Sequence, residues 1–63
     1  MYEKYVKARD ALGLNDNQVS KLTGGIVSNT TLSAWKKGTY TPKVDKLILI
    51  AKALGKPVEY FLS

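Results

Sequence analysis

Apolar residues recur along this chain at spacings of three and four, the period of a helix that buries one side. Tyr5, Ala8 and Leu12 form the first such stripe, bordered by Tyr2, Val6 and Arg9, and Gly13 is placed to end the helix. Arg9 is expected to support the fold, by snorkelling or by pairing with a carboxylate. A second helix starts at Asn15, where Asn-x-x-Gln allows Gln18 to return a bond as in a capping box and Asp16 suits the positive end of the dipole. Val19 and Leu22 point inward, small Ser20 lets another helix come close, and Thr23-Gly24-Gly25 breaks the helix. Further on, Val44, Leu47, Ile48, Ala51 and Leu54 form a stripe that Ile50 widens and Gly55 ends. Leu49 falls outside that stripe, among Asp45, Lys46 and Lys52, where it could seed a dimer contact. Pro57 starts a last short helix whose Val58, Phe61 and Leu62 are expected to pack on the core.

Between the second helix and the Thr39-Tyr40-Thr41-Pro42 loop lies the stretch Gly24 to Gly38, which the rest of the chain is expected to serve. Ser28 is a good N-cap, and Gly38 can take the left-handed conformation that often terminates a helix. On the helix between them Thr31, Leu32 and Trp35 share one side, and Asn29, Thr30, Ser33, Lys36 and Lys37 share the other. A helix this short needs Leu32 and Trp35 as anchors. Its outer face then carries short hydrogen-bonding side chains followed by two cations. Asn can read an adenine edge with two bonds, Ser and Thr are adaptable donors and acceptors, and a helix N-terminus suits phosphate. The same face can also be read as ordinary solvated surface.

Composition narrows the choice. A chain of 63 residues is a single small domain, expected to span residues 1–63, near the lower limit at which one core folds without staples. With no Cys and no His, it has neither disulfides nor thiolate zinc sites nor a Cys/His or Ser/His catalytic arrangement. The net charge is +5, and residues 36–46 hold net +3 of it (Lys36, Lys37, Lys43 and Lys46 against Asp45), whereas residues 1–16 balance. A basic patch beside the polar helix favours a polyanion. No run is apolar enough to span a bilayer and no signal peptide is visible, so a soluble, cytoplasmic protein is expected.

The segments GLNDNQVSKLTG, VSNTTLSAWKKG and TPKVDKLILIAKALGKPVEYFL together resemble phage-repressor helix-turn-helix domains of the Cro/C1 (XRE) type, over nearly the whole chain. Val19 and Ser20 match the apolar and small positions of the family's first motif helix, Gly24 the turn glycine, Leu32 and Trp35 the buried positions of the recognition helix. The resemblance implies an all-α, compact five-helix lambda-repressor-like domain with its helix-turn-helix at about residues 16–37. It implies sequence-specific binding of a double-stranded DNA operator by a transcriptional regulator, a repressor of phage or bacterial type, with the helix from Ser28 to Lys37 in the major groove. Carried over by position, the base-contacting sites are Asn29, Thr30, Ser33 and Ala34. Phosphate contacts fall around the first turn of helix 2 (Asp16, Asn17 and Gln18), on Ser28, and in the loop after Gly38, where Tyr40 and Lys43 are the candidates; Lys36 and Lys37 add cations. One module contacts only a few base pairs, so a homodimer on a two-fold site is expected to supply specificity.

Three departures from the family pattern stand out. Gly25 and Ile26 lengthen the turn by two residues, Asp16 replaces the frequent glutamine that touches phosphate, and Lys36 replaces a frequent acid that would pair with Arg9. Asp16 and the longer turn favour a rival reading, a helix-turn-helix-derived protein-interaction module with little DNA binding. Lys36, Lys37 and Lys43 beside Asn29 oppose it. An enzyme is not expected. Ser33-Ala34-Trp35-Lys36 has the Ser-x-x-Lys spacing of penicillin-binding enzymes without their partner motifs, and the five carboxylates include no pair one helical turn apart. Asn29-Thr30-Thr31 spells a glycosylation acceptor with no secretion signal, and Gly24-Gly25 lacks the ending of a phosphate loop. No cofactor, metal, membrane or small-molecule ligand is implied.

Overall fold

The computed structural model describes residues 1–63 as five helices with no strand: α1 (Tyr2–Ala11), α2 (Asp16–Leu22), α3 (Asn29–Lys37), α4 (Val44–Ala53) and α5 (Glu59–Leu62). Capping chemistry sets the boundaries. The Asn15 side chain accepts from the Gln18 amide while the Asn15 amide donates to Gln18 Oε1, each at 2.9 Å, so the expected capping box forms. Ser28 accepts from the Thr31 amide at 3.2 Å, and Gly38, at φ 80°, closes α3 in the left-handed region.

These short helices hold by packing on one another: α2 lies against α3 and α4, and α1 against α5. The core comprises Tyr5, Ala8, Val19, Val27, Leu32, Trp35, Leu47, Ile50, Ala51, Leu54 and Phe61. Tyr2, Tyr5 and Trp35 stack as a trio with ring centroids 5.1–5.6 Å apart, which fastens α3 to α1.

A second link joins α1 to α2. The Tyr5 hydroxyl donates to Asp16 Oδ1 at 2.6 Å, and Arg9 Nη1 donates to the same oxygen at 2.9 Å. Arg9 also pairs with Asp10. Burial disfavours the Arg9 charge, but its bonds to Asp16 and Asp10 outweigh that and raise its affinity for the proton. Arg9 therefore has the supporting role expected of it, with Asp16 supplying the carboxylate that position 36 does not.

Several expected inward residues turn out to face solvent. Leu12 and Leu22 are 54% and 57% exposed, because each falls in the last turn or cap of a short helix where the chain is already leaving the core. Leu62 at the end of α5 is likewise exposed. In α4 the buried stripe is Leu47, Ile50, Ala51 and Leu54, while Val44 and Ile48 are exposed and Leu49 packs partly on the core. That helix is apolar around more than half its girth, so periodicity alone leaves its rotation open and the docking of its neighbours selects the face. The dimer contact expected at Leu49 consequently loses its exposed leucine.

The lengthened turn has a definite structure. Gly24 and Gly25 both take positive φ, 73° and 78°, and their amides close on the Lys21 and Ser20 carbonyls. The buried Thr23 hydroxyl donates to the Ser20 carbonyl at 2.7 Å and accepts from the Val27 amide at 3.1 Å. The extra residues thus form an outward excursion with Ile26 exposed at its end, and Val27 returns to the core.

Candidate functional site

Leu32 and Trp35 commit one side of α3 to the interior, which leaves its other side free of packing. Asn29, Thr30 and Ser33 are exposed there and Ala34 is half-buried. With Lys37 and Thr39 these four line one shallow groove. All the residues expected to face bases are therefore brought together. Small side chains at Thr30, Ser33 and Ala34 keep the groove shallow, and Asn29 stands at the helix N-terminus, where backbone N–H groups point outward.

The residues expected at phosphate divide into those still free and those already engaged. Lys36, Lys37 and Lys43 are exposed, and none of them lies within ion-pair distance of a carboxylate, since the ion pairs present use only Arg9 and the terminal amine. Their charge is available to an outside anion. Ser28 already accepts from Thr31 and shares a 3.1 Å hydroxyl contact with Thr31 Oγ1. Gln18 has its oxygen in the capping box, which leaves its amide nitrogen. Asn17 Oδ1 accepts from Asn29 Nδ2 at 3.1 Å, so the N-termini of α2 and α3 are joined through their side chains.

Asp16 is the residue whose place differs most from the family pattern. Its Oδ1 receives both Tyr5 and Arg9, so it belongs to the scaffold, and the guanidinium at 2.9 Å, which it shares with Asp10, offsets part of its negative charge. An acid at this position thus has a structural task, which weakens the objection to DNA binding drawn from it.

A second shallow groove adjoins the first at Thr39 and continues over Tyr40, Thr41, Lys43, Asp45 and Lys46. Tyr40 packs its ring partly on the core while lining this groove. Thr39, Thr41 and Lys46 extend this surface beyond the residues expected to contact DNA. Lys46 lies in the first turn of α4, three positions after the N-cap residue Lys43, and both line this groove. No local spacing marks Thr39: its amide and hydroxyl both bond the Ala34 carbonyl, which brings it beside α3.

No helix of the structure is long and apolar enough to cross a membrane. A family model described as helix-turn-helix matches residues 7–61, all but the two ends of the chain. No curated protein and no solved structure matches.

Proposed function

The chain belongs to the Cro/C1-type helix-turn-helix family of DNA-binding regulators, and from that premise we propose that residues 1–63 act as one domain that recognises a specific double-stranded operator in the cytoplasm. The observation that carries this reading is the groove on the unpacked side of α3, where Asn29, Thr30, Ser33 and Ala34 meet Lys37. The helix docks in the major groove with Asn29, Thr30 and Ser33 offering hydrogen bonds to base edges and Ala34 an apolar contact. Lys36, Lys37 and Lys43, the Gln18 and Asn17 amides, Ser28 and the Tyr40 hydroxyl flank it and set position on the phosphates. Occupying an operator through α3 in this way is the action of a repressor of phage or bacterial type. Pairing of two copies on a two-fold site supplies the remaining specificity.

Selection from a pool of random duplexes at about physiological salt tests the whole reading. Enrichment of a two-fold-symmetric sequence is expected. Retention without enrichment would reduce the activity to charge-driven binding. No retention would favour the protein-interaction reading, for which Leu22 and Ile26, both exposed beside the lengthened turn, are the specific observation.

Two substitutions separate the roles. Asn29→Ala is expected to relax preference at one base pair, with a loss of about 1 to 3 kcal/mol on the preferred base. A loss of equal size on every sequence would remove Asn29 from direct readout. Lys43→Ala is expected to weaken binding to all duplexes alike and to lower the slope of log affinity against log salt by about 1. A slope equal to the parent's would take Lys43 off the phosphate.

A further inference from the structure

The lengthened turn between α2 and α3 is tied back to the end of α2 on both sides of its tip. The Ser20 carbonyl receives three donors: the Thr23 amide at 3.1 Å, the Gly25 amide at 2.9 Å and the Thr23 hydroxyl at 2.7 Å. The same hydroxyl accepts from the Val27 amide at 3.1 Å. Its two bonds have fixed directions, because a carbonyl can only accept and an amide N–H can only donate. Between the two anchored amides, that of Ile26 has no acceptor in the protein.

The Thr23 hydroxyl therefore spans Gly25 and Ile26, the two residues by which this turn exceeds the family pattern. Gly24 and Gly25, both at positive φ, lend the excursion little stiffness of their own. Val27 is buried, so its side chain fixes where the chain re-enters the core, but a buried side chain does not by itself fix the direction of the peptide behind it. The bond from its amide to Thr23 supplies that direction. The next residue is the Ser28 N-cap, so the way the chain leaves Val27 sets where α3 begins.

We infer that Thr23 is a positioning residue for DNA recognition: through the Val27 amide, its buried hydroxyl holds the start of α3 at a fixed place relative to α2 across the lengthened turn. The inference rests on the reading of α3 as the helix that meets the bases. Contacts to base edges demand placement within about 0.5 Å, whereas lysines on flexible stems follow the phosphates over a wider range. Loosening the turn is thus expected to cost sequence preference more than total affinity for DNA.

Thr23→Val keeps the outline of the side chain and removes both bonds, while Thr23→Ser keeps both bonds. Valine leaves the buried Val27 amide unpaired, so Thr23→Val should melt below the parent. Melting does not decide the question, because a smaller folded fraction lowers the apparent affinity for every duplex by the same factor. The readout is the ratio of affinities for the sequence enriched by selection and for an unrelated duplex, at one salt concentration. Thr23→Val is expected to lower that ratio by about tenfold, the worth of one good base contact, and Thr23→Ser to leave it close to the parent's. An unchanged ratio in Thr23→Val, or an equal drop in Thr23→Ser, would overturn the inference and leave Thr23 a structural cap. Hydrogen exchange in the parent supplies a test that needs no variant: the Val27 amide should exchange nearly as slowly as that of Leu32 within α3, and the Ile26 amide fast. A Val27 amide as fast as that of Ile26 would overturn the inference even where Thr23→Val does not fold. A parent with no enriched sequence would overturn the base-reading role of α3 itself, and this inference with it.

Discussion

Trp35→Ala is expected to leave the domain largely unfolded at room temperature. Trp35 is 5% exposed, and its ring meets those of Tyr2 and Tyr5 at 5.3 and 5.1 Å. Emptying such a site costs about 3 to 5 kcal/mol, the transfer of the ring plus the cavity that remains. A single core in a chain this small supplies about 3 to 5 kcal/mol in total. The two figures are equal in size, so the substitution removes essentially all the stability. The loss also detaches α3 from α1, because Trp35 is the member of the aromatic trio that lies on α3. Circular dichroism at increasing denaturant checks it. A cooperative transition at the parent's midpoint would show that α3 is anchored elsewhere and that its outward face has been misassigned. Trp35→Phe should retain much of the fold, because a smaller ring still fills part of the gap between α1 and α3.

Asp16→Ala should produce the next largest effect, about 2 to 3 kcal/mol of destabilisation. Most of it comes from the Tyr5 hydroxyl, which sits on a fully buried residue and would lose its acceptor. The Arg9 pair adds less, since Arg9 keeps Asp10 and both partners are partly in solvent. Asp16→Asn, which keeps an oxygen for Tyr5 and loses the charge facing Arg9, should fall between the variant and the parent. If Asp16→Ala melts with the parent, the carboxylate is not what joins α1 to α2.

The same contact has an alkaline signature. Burial, then the hydrogen bond to Asp16 and its negative charge, push the Tyr5 phenol well above the ordinary tyrosine range, against the opposing pull of Arg9. The folded state thus holds this proton more tightly than the unfolded chain does. Its contribution to stability is fully present below about pH 10, the unfolded value, and is lost as pH rises through the raised folded value. Tyr5→Phe should flatten this part of the pH dependence of unfolding above about pH 10. An identical alkaline slope in the parent and in Tyr5→Phe would count against it.

Much of this molecule could be read along the chain because its determinants are local. The Asn15 box, the Ser28 cap and the Gly38 terminus involve residues within one turn of each other, and each formed as expected. The two sides of α3 were legible for a related reason. Leu32 and Trp35 are its large apolar residues, so no other face competes for burial. From the same facts came the grouping of Asn29, Thr30 and Ser33 with the lysines after them.

Contacts between distant segments required the tertiary structure. In α4 too many residues are apolar for their spacing to single out a face, and packing chose Ile50 over Val44 and Ile48. Leu12 and Leu22 fit their helical stripes, but the core ends before it reaches them, which spacing cannot express. Asp16 and Arg9 are seven residues apart and in different helices, so their pairing depends on how α1 crosses α2. The Asn17–Asn29 bond depends in the same way on how the longer turn returns the chain to α3. Sequence alone determined which helices form, where they stop and which side of α3 stays free, because those follow from propensity, capping and local polarity. Only the folded arrangement decided which helical faces are buried and which polar side chains meet, because both depend on the relative placement of helices that no local spacing encodes.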